Sequence, residues 1–205
     1  MKELEEVYIS EIQELVQELT GADKVIAFGP TLRQTKPEPG SHYQPPGTDA
    51  HVDYTSSRSH SLAKNLIASS DDPSFQYSKF ICINSWRAIS APPQDWPLAV
   101  CDALSVDPKE GTPNVMIRCE KLPDLDTLGP LEDEDSLPAA FLFQYSESHR
   151  WHYYSDMKDD ELLVFKLYDS KNPIGRCPHA AFFDCSRKGA IPRESVEIRT
   201  VAYFK

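Results

Sequence analysis

From Phe80 to Phe204 the chain is a succession of short apolar segments cut apart by proline, glycine and aspartate, and this punctuation leaves few folds open. The segments are Phe80 to Trp86, Leu98 to Val106, Asn114 to Glu120, Ala139 to Tyr145, Trp151 to Tyr154, Glu161 to Tyr168, Ala180 to Phe183 and Val196 to Phe204. They are too short to be core helices, and several carry the β-branched and aromatic residues that suit a pleated surface. Many short strands with frequent turns predict a β-sandwich or barrel. Two helices flank them. Leu4, Val7, Ile12, Leu15, Val16 and Leu19 recur at helical spacing, which predicts an amphipathic helix over 2–19 ended by Gly21. A shorter helix is expected over Ser59 to Ser69, and a short strand over Lys24 to Phe28.

Two stretches read as loops. Gln34 to Thr48 is rich in proline, glycine and polar residues and delivers the chain to His51. Lys121 to Leu137 carries Asp124, Asp126, Glu132, Asp133, Glu134 and Asp135, and lacks the glycine and ligand spacing of a calcium loop. The 205 residues are expected to form a single domain, with the β core over about 48–205.

The net charge of -11 argues against a nucleic-acid surface, which needs a basic stripe. No apolar run is long enough for a transmembrane helix, and the N-terminus lacks the basic-then-apolar order of a signal peptide. Cys82, Cys101, Cys119, Cys177 and Cys185 form no CxxC pair, which points to reduced thiols and a cytoplasmic location rather than a disulfide frame or a cysteine zinc site.

The chemistry is concentrated in three places. His51 and Asp53 are two residues apart on an extended segment, so their side chains share one face. Far downstream, His179 starts an otherwise apolar strand. Two imidazoles and one carboxylate with open positions are the preferred set for non-haem Fe(II). The competing reading of His179 is a hydrogen-bonded core histidine. Arg193 and Ser195 alternate onto one face, after room for one strand, a turn at Lys188-Gly189 and the start of an adjacent antiparallel strand. A guanidinium fork and a hydroxyl on one face suit a carboxylate. The alternative for Arg193 is an ordinary ion pair with surface acids.

The order HxD, then H, then RxS resembles the Fe(II)/2-oxoglutarate-dependent oxygenases, and more closely the fungal hydroxylase/desaturase group related to the aspergillic-acid hydroxylase. The resemblance runs through Asn84-Ser85-Trp86-Arg87, Pro97 to Asp102, His149-Arg150-Trp151-His152-Tyr153-Tyr154, Asp160-Glu161, Asp169-Ser170, Pro178 to Phe182 and Arg193 to Glu197. It implies a mainly β double-stranded β-helix, or jelly roll, with flanking helices. It also implies Fe(II) on His51, Asp53 and His179, with Arg193 and Ser195 holding the distal carboxylate of 2-oxoglutarate. With O2, such an enzyme oxidises a small-molecule substrate of secondary metabolism by hydroxylation, desaturation or cyclisation. Two departures stand out. Members of the group usually carry further residues ahead of the helix at 2–19, so a lid or substrate wall is expected to be missing. Ala88 also stands where the group often has proline.

Around this set, Trp86, Arg87, His149, Trp151 and Tyr153 are candidates for contacting substrate. For Arg87 the alternative is a structural ion pair; for the aromatic residues it is a place in the core. His149 is a reserve third ligand, Arg199 a reserve carboxylate binder, and Tyr54 is expected to face away from the ligands if the strand stays regular. Two other functions fit the same residues: a catalytically inactive jelly-roll binding module, and a zinc hydrolase using the same three ligands. An exposed jelly-roll edge favours a homodimer.

Overall fold

The computed structural model describes residues 7–116, Lys121, Asp124 and 139–205. Helix α1 spans Ile9–Thr20 and α2 spans Ser56–Ala68. The strands are β1 (Lys24–Gln34), β2 (His51–Asp53), β3 (Lys79–Ala88), β4 (Leu98–Cys101), β5 (Gly111–Val115), β6 (Ala139–Phe143), β7 (Trp151–Tyr153), β8 (Leu163–Asp169), β9 (His179–Ala181) and β10 (Glu194–Phe204). They form two antiparallel sheets, ordered β1-β10-β3-β8 and β5-β6-β2-β9-β4-β7. Strands β1 to β4 alternate between the two sheets, as do β7 to β10, which is the winding of a jelly roll.

The period of two on β10 separates its surroundings cleanly. Ile198 and Ala202 pack with Ile12 and Val16 of α1, whereas Val201 and Tyr203 belong to the cluster of Val52, Phe80, Cys82 and Trp86. One face of the four-stranded sheet is therefore covered by α1, and the other faces the second sheet and α2. Burying an aliphatic side chain such as Val16 or Ile198 contributes roughly 1.5–3 kcal/mol, so both faces of β10 are anchored. Helix α1 ends where glycine permits the left-handed turn: Gly21 has φ +67° and its N–H donates to Gln17 O.

Several boundaries differ from the sequence expectation. Residues 2–6 of the expected first helix lie outside the described residues. Strand β1 runs on to Gln34, because its register on β10 resumes after an irregularity between Phe28 and Thr31. The strand expected over Leu98 to Val106 stops at Cys101, because the Asp102 carboxylate accepts from Leu104 N and starts a 3-10 turn over Ala103–Ser105. The strand expected over Asn114 to Glu120 is found at Gly111–Val115, with 117–120 outside the described residues. The acidic stretch lies outside them too, apart from Lys121 and Asp124. Strand β10 is not the neighbour of β9: it crosses to the other sheet and pairs with β1 and β3, so the Arg193 segment faces His179 from the opposite layer.

Candidate metal centre

Strands β2 and β9 bring the two histidines side by side. His51 is the cross-strand partner of His179, and their ring centres are 4.4 Å apart. Asp53, two residues along β2, lies on the same face, with its Oδ1 3.7 Å from His51 Nε2. One nitrogen from each ring and one carboxylate oxygen all lie within 4.8 Å of one another. Both rings are oriented by the backbone. His51 Nδ1 donates to Asp49 O at 2.7 Å, and His179 Nδ1 donates to Cys177 O at 3.2 Å. Those bonds put the proton on Nδ1 and leave each Nε2 lone pair free to bind a cation. Phe165 closes over His179 at 4.8 Å between ring centres. Burial, followed by the neighbouring His51, pulls the His179 pKa down to about 4, so the ring is neutral and a ligand near pH 7.

The carboxylate is held from the opposite sheet. Burial opposes ionisation of Asp53, but Arg199 and then the two imidazoles outweigh it, and its pKa lies far below the usual carboxylate range. Arg199 Nε donates to Asp53 Oδ2 at 2.8 Å, Nη2 donates to Glu197 Oε1 at 2.6 Å and Nη1 to Thr31 Oγ1 at 3.3 Å. Asp53 Oδ2 is thereby occupied and Oδ1 is left facing the histidines. Glu197 also accepts from Arg33 Nη2 at 3.3 Å. Immediately after Asp53 the strand breaks: Tyr54 has φ +68° and packs against the core beside Phe28, so its place is set by the turn, not by strand alternation.

Arg193 is almost completely buried, and so is Ser195. Arg193 Nη1 donates to Trp96 O at 2.9 Å, and its guanidinium carbon lies 5.6 Å from the ring centre of Trp86. Its Nε and Nη2, and Ser195 Oγ, have no hydrogen-bond partner. Burial and then the nearby Arg33 lower the Arg193 pKa to about 10. Arg33, Trp86, His51, His179, Arg193 and Glu197 border one cavity of about 20 Å³. That is roughly the room of one water and less than a five-carbon dicarboxylate needs.

Other sequence candidates are placed elsewhere. Trp86 faces the cavity, so Arg87, the next residue on β3, points to the α1 side and stacks on Tyr8 at 5.2 Å. His149 pairs with Glu110 at 2.8 Å and does not join the two histidines. Trp151 and Tyr153 stand on the exposed edge strand β7, opposite Cys101 and Ala99; these alternate with Val100, the partner of His179, so both aromatics are turned away from the site. Arg199, expected as a reserve carboxylate binder, is consumed by Asp53 and Glu197. Arg33 and Glu197 were not singled out in the sequence. Glu197 shares the parity of Arg193 and Ser195, and that period was the signal that could have found it.

A family model described as "Oxidoreductase/YMDC permease-like domain" matches residues 1–203. Among the described residues no helix is long and apolar enough to cross a membrane. The chain is 33% identical over 198 residues to the Fe(II)/2-oxoglutarate-dependent dioxygenase nvfI of Aspergillus novofumigatus, covering 96% of this chain and 66% of that protein. It is 28% identical over 227 residues to the hydroxylase/desaturase efuI of Hormonema carpetanum, covering all of this chain and 72% of the relative. A solved structure of the iron and alpha-ketoglutarate-dependent endoperoxidase NvfI superposes with a TM-score of 0.82 at 31% identity, over 98% of this chain and 70% of the other. The chain thus spans about two-thirds of the length of these relatives.

Proposed function

We propose that this chain, which belongs to the Fe(II)/2-oxoglutarate-dependent oxygenase family, holds Fe(II) on His51, Asp53 and His179 and binds 2-oxoglutarate through Arg193 and Ser195. The observation that carries this reading is the shared cavity. His51 and His179, whose ligand atoms lie within 4.8 Å of each other and of an Asp53 oxygen, border the same space as a buried guanidinium with two nitrogens lacking partners. The donors fit the ion: two imidazoles and one carboxylate leave positions for other ligands. The unmet donors of Arg193 and the Ser195 hydroxyl fit a carboxylate, which would satisfy what burial has left unsatisfied.

When bound, the iron supplies, with 2-oxoglutarate and O2, the oxidising power to break a substrate C–H bond. The chain's own work is to bind and orient. Asp49 O and Cys177 O fix the histidine tautomers, and Arg199 restricts Asp53 to one free oxygen. Trp86 borders the cavity, and Phe165 packs against the His179 ring. Arg33, which borders the cavity and donates to Pro45 O in the proline-rich loop, is the side chain that yields to make room for the co-substrate. The reaction is hydroxylation, desaturation or cyclisation of a small molecule, and the chain works as one oxygenase unit.

The test uses anaerobic protein loaded with Fe(II). Adding 2-oxoglutarate should change its visible absorbance, and air should then yield succinate. His179→Ala should lose at least the roughly 100-fold in metal affinity known for outer-shell changes, read by titration with Mn(II). Wild-type protein that takes up no divalent metal, or forms no succinate when loaded, overturns the assignment.

A further inference from the structure

A second cavity beside the metal-ligand strands is separate from the space bordered by His51, His179 and Arg193. It is a cavity of about 250 Å³ lined by Val106, Pro108, Phe141, Phe143, Ile174 and Arg176, with Ser56 at its edge. Phe141 is the cross-strand partner of Val52. Side chains alternate along a strand, so Phe141 and Phe143 project from the face opposite to His51 and Asp53. Strand β2 stands between this cavity and the metal centre.

We propose that this cavity is a second binding site, independent of the metal, for a small apolar carboxylate whose anionic end pairs with Arg176. Among the described residues, Arg176 is the only charged side chain lining it. Its guanidinium carbon sits 4.2 Å from the ring centre of Phe141 and 5.3 Å from that of Tyr168. Two aromatic faces hold the guanidinium plane in place before any ligand arrives. Nη2 donates to Ser56 Oγ at 2.6 Å, while Nε is buried with no partner. Among the described residues no carboxylate is paired with it; burial lowers its pKa and the one opposing influence is Tyr168. A partly buried cation with a free donor and no carboxylate partner among the described residues carries a desolvation cost, and an incoming carboxylate offsets it.

The surroundings narrow the ligand class. Ser56 begins α2, so the positive end of a helix dipole adds to the same edge of the cavity. Apart from Ser56 and backbone, the remaining side chains of the lining are hydrocarbon or aromatic, which suits an apolar body and offers no partner for a second charge. A monocarboxylate with a ring or short chain fits this arrangement. Inorganic phosphate and 2-oxoglutarate do not.

The probe is 4-phenylbutyrate, titrated calorimetrically into the whole metal-free chain and again with saturating Mn(II) and 2-oxoglutarate. One molecule should bind in both conditions with the same affinity. The uncharged 4-phenylbutyramide should bind about tenfold more weakly or worse, because it forfeits a charged hydrogen bond. Arg176→Gln should weaken phenylbutyrate by a similar factor. Ile174→Glu, at a position on the exposed rim where folding is not at risk, should weaken it too by placing a like charge at the mouth, and decides the matter if Arg176→Gln does not fold. No binding of phenylbutyrate at its solubility limit, equal binding of the amide, unchanged binding to the variants, or displacement by 2-oxoglutarate would each overturn the proposal. Displacement by 2-oxoglutarate would put phenylbutyrate in the co-substrate's site, and the other outcomes leave the metal centre untouched, so the two assignments fail distinguishably.

Discussion

Arg193 and Arg199 lie on the same face of the same chain segment, Arg193 buried and Arg199 half-buried, and their circumstances are opposite. Arg199 spends its donors on Asp53, Glu197 and Thr31, and those carboxylates push its pKa up despite burial. Arg193 has one side-chain bond, to a backbone carbonyl, and burial lowers its pKa to about 10. A guanidinium whose partners are all supplied by the fold is part of the fold. One buried with unmet donors beside a cavity is waiting for something that the chain does not provide. The contrast supports the proposed division, with Arg199 positioning Asp53 and Arg193 available to recognise a ligand, without reference to any relative.

The largest effect expected from this contrast is on stability. Arg199→Ala leaves Asp53 without its partner and removes one of two from Glu197, and breaking a buried pair costs about 3–5 kcal/mol. Chemical denaturation of the metal-free chain measures it. Arg193→Ala should change stability by less than about 1.5 kcal/mol, since only one ordinary hydrogen bond is lost along with an uncompensated charge. If the two variants are equally destabilised, the distinction drawn between them is wrong.

In binding the order should reverse. Arg193→Ala removes hydrogen bonds from a charged donor to the 2-oxoglutarate carboxylate, and its affinity should fall by about 10–100-fold. Arg199→Lys keeps a positive charge beside Asp53 but cannot hold Asp53 and Glu197 at once with a planar fork. It should therefore weaken Mn(II) by roughly tenfold, as other outer-shell changes do, with a smaller effect on 2-oxoglutarate. Titration of each variant with metal and then co-substrate separates the two roles.

The contrast also shows which part of the site was legible in the sequence. His51 with Asp53, and Arg193 with Ser195, could be paired from a period of two alone, because that period is a property of the extended backbone. The β-rich architecture was legible for a similar reason: short apolar segments with turns between them predict a sandwich or barrel, and the jelly roll itself is what the resemblance to the oxygenases implies. What the sequence did not show was which sheet a strand joins. Placing β10 beside β9 was natural from their order, but β10 crosses to pair with β1 and β3. The network of Arg33, Glu197, Arg199 and Asp53 depends on that crossing, and so it was out of reach. Arg87 shows a different limit: adjacent residues of a strand face opposite ways, so Arg87 meets Tyr8 while Trp86 borders the cavity. His149, Trp151 and Tyr153 share a conspicuous aromatic stretch, yet their partners are Glu110, solvent and Phe182.

Glu197 gives the finest test, because it touches both arginine environments. It accepts from Arg199 and from Arg33, and it borders the cavity that Arg193 faces. Its negative charge helps to hold Arg199, and through it Asp53, but it also opposes the entry of a dianion and engages Arg33. Glu197→Gln keeps the shape and one acceptor oxygen and removes the charge. If Arg33 and Glu197 pair with each other until the co-substrate displaces them, the variant should bind 2-oxoglutarate more tightly, by about three- to tenfold for one like charge removed at short range in a partly buried site. Its Mn(II) affinity should change less, because Arg199 still grips Asp53. Weaker 2-oxoglutarate binding in Glu197→Gln would mean that Glu197 serves the cavity only by ordering the arginines around it, and the division between a positioning and a recognising half would have to be redrawn.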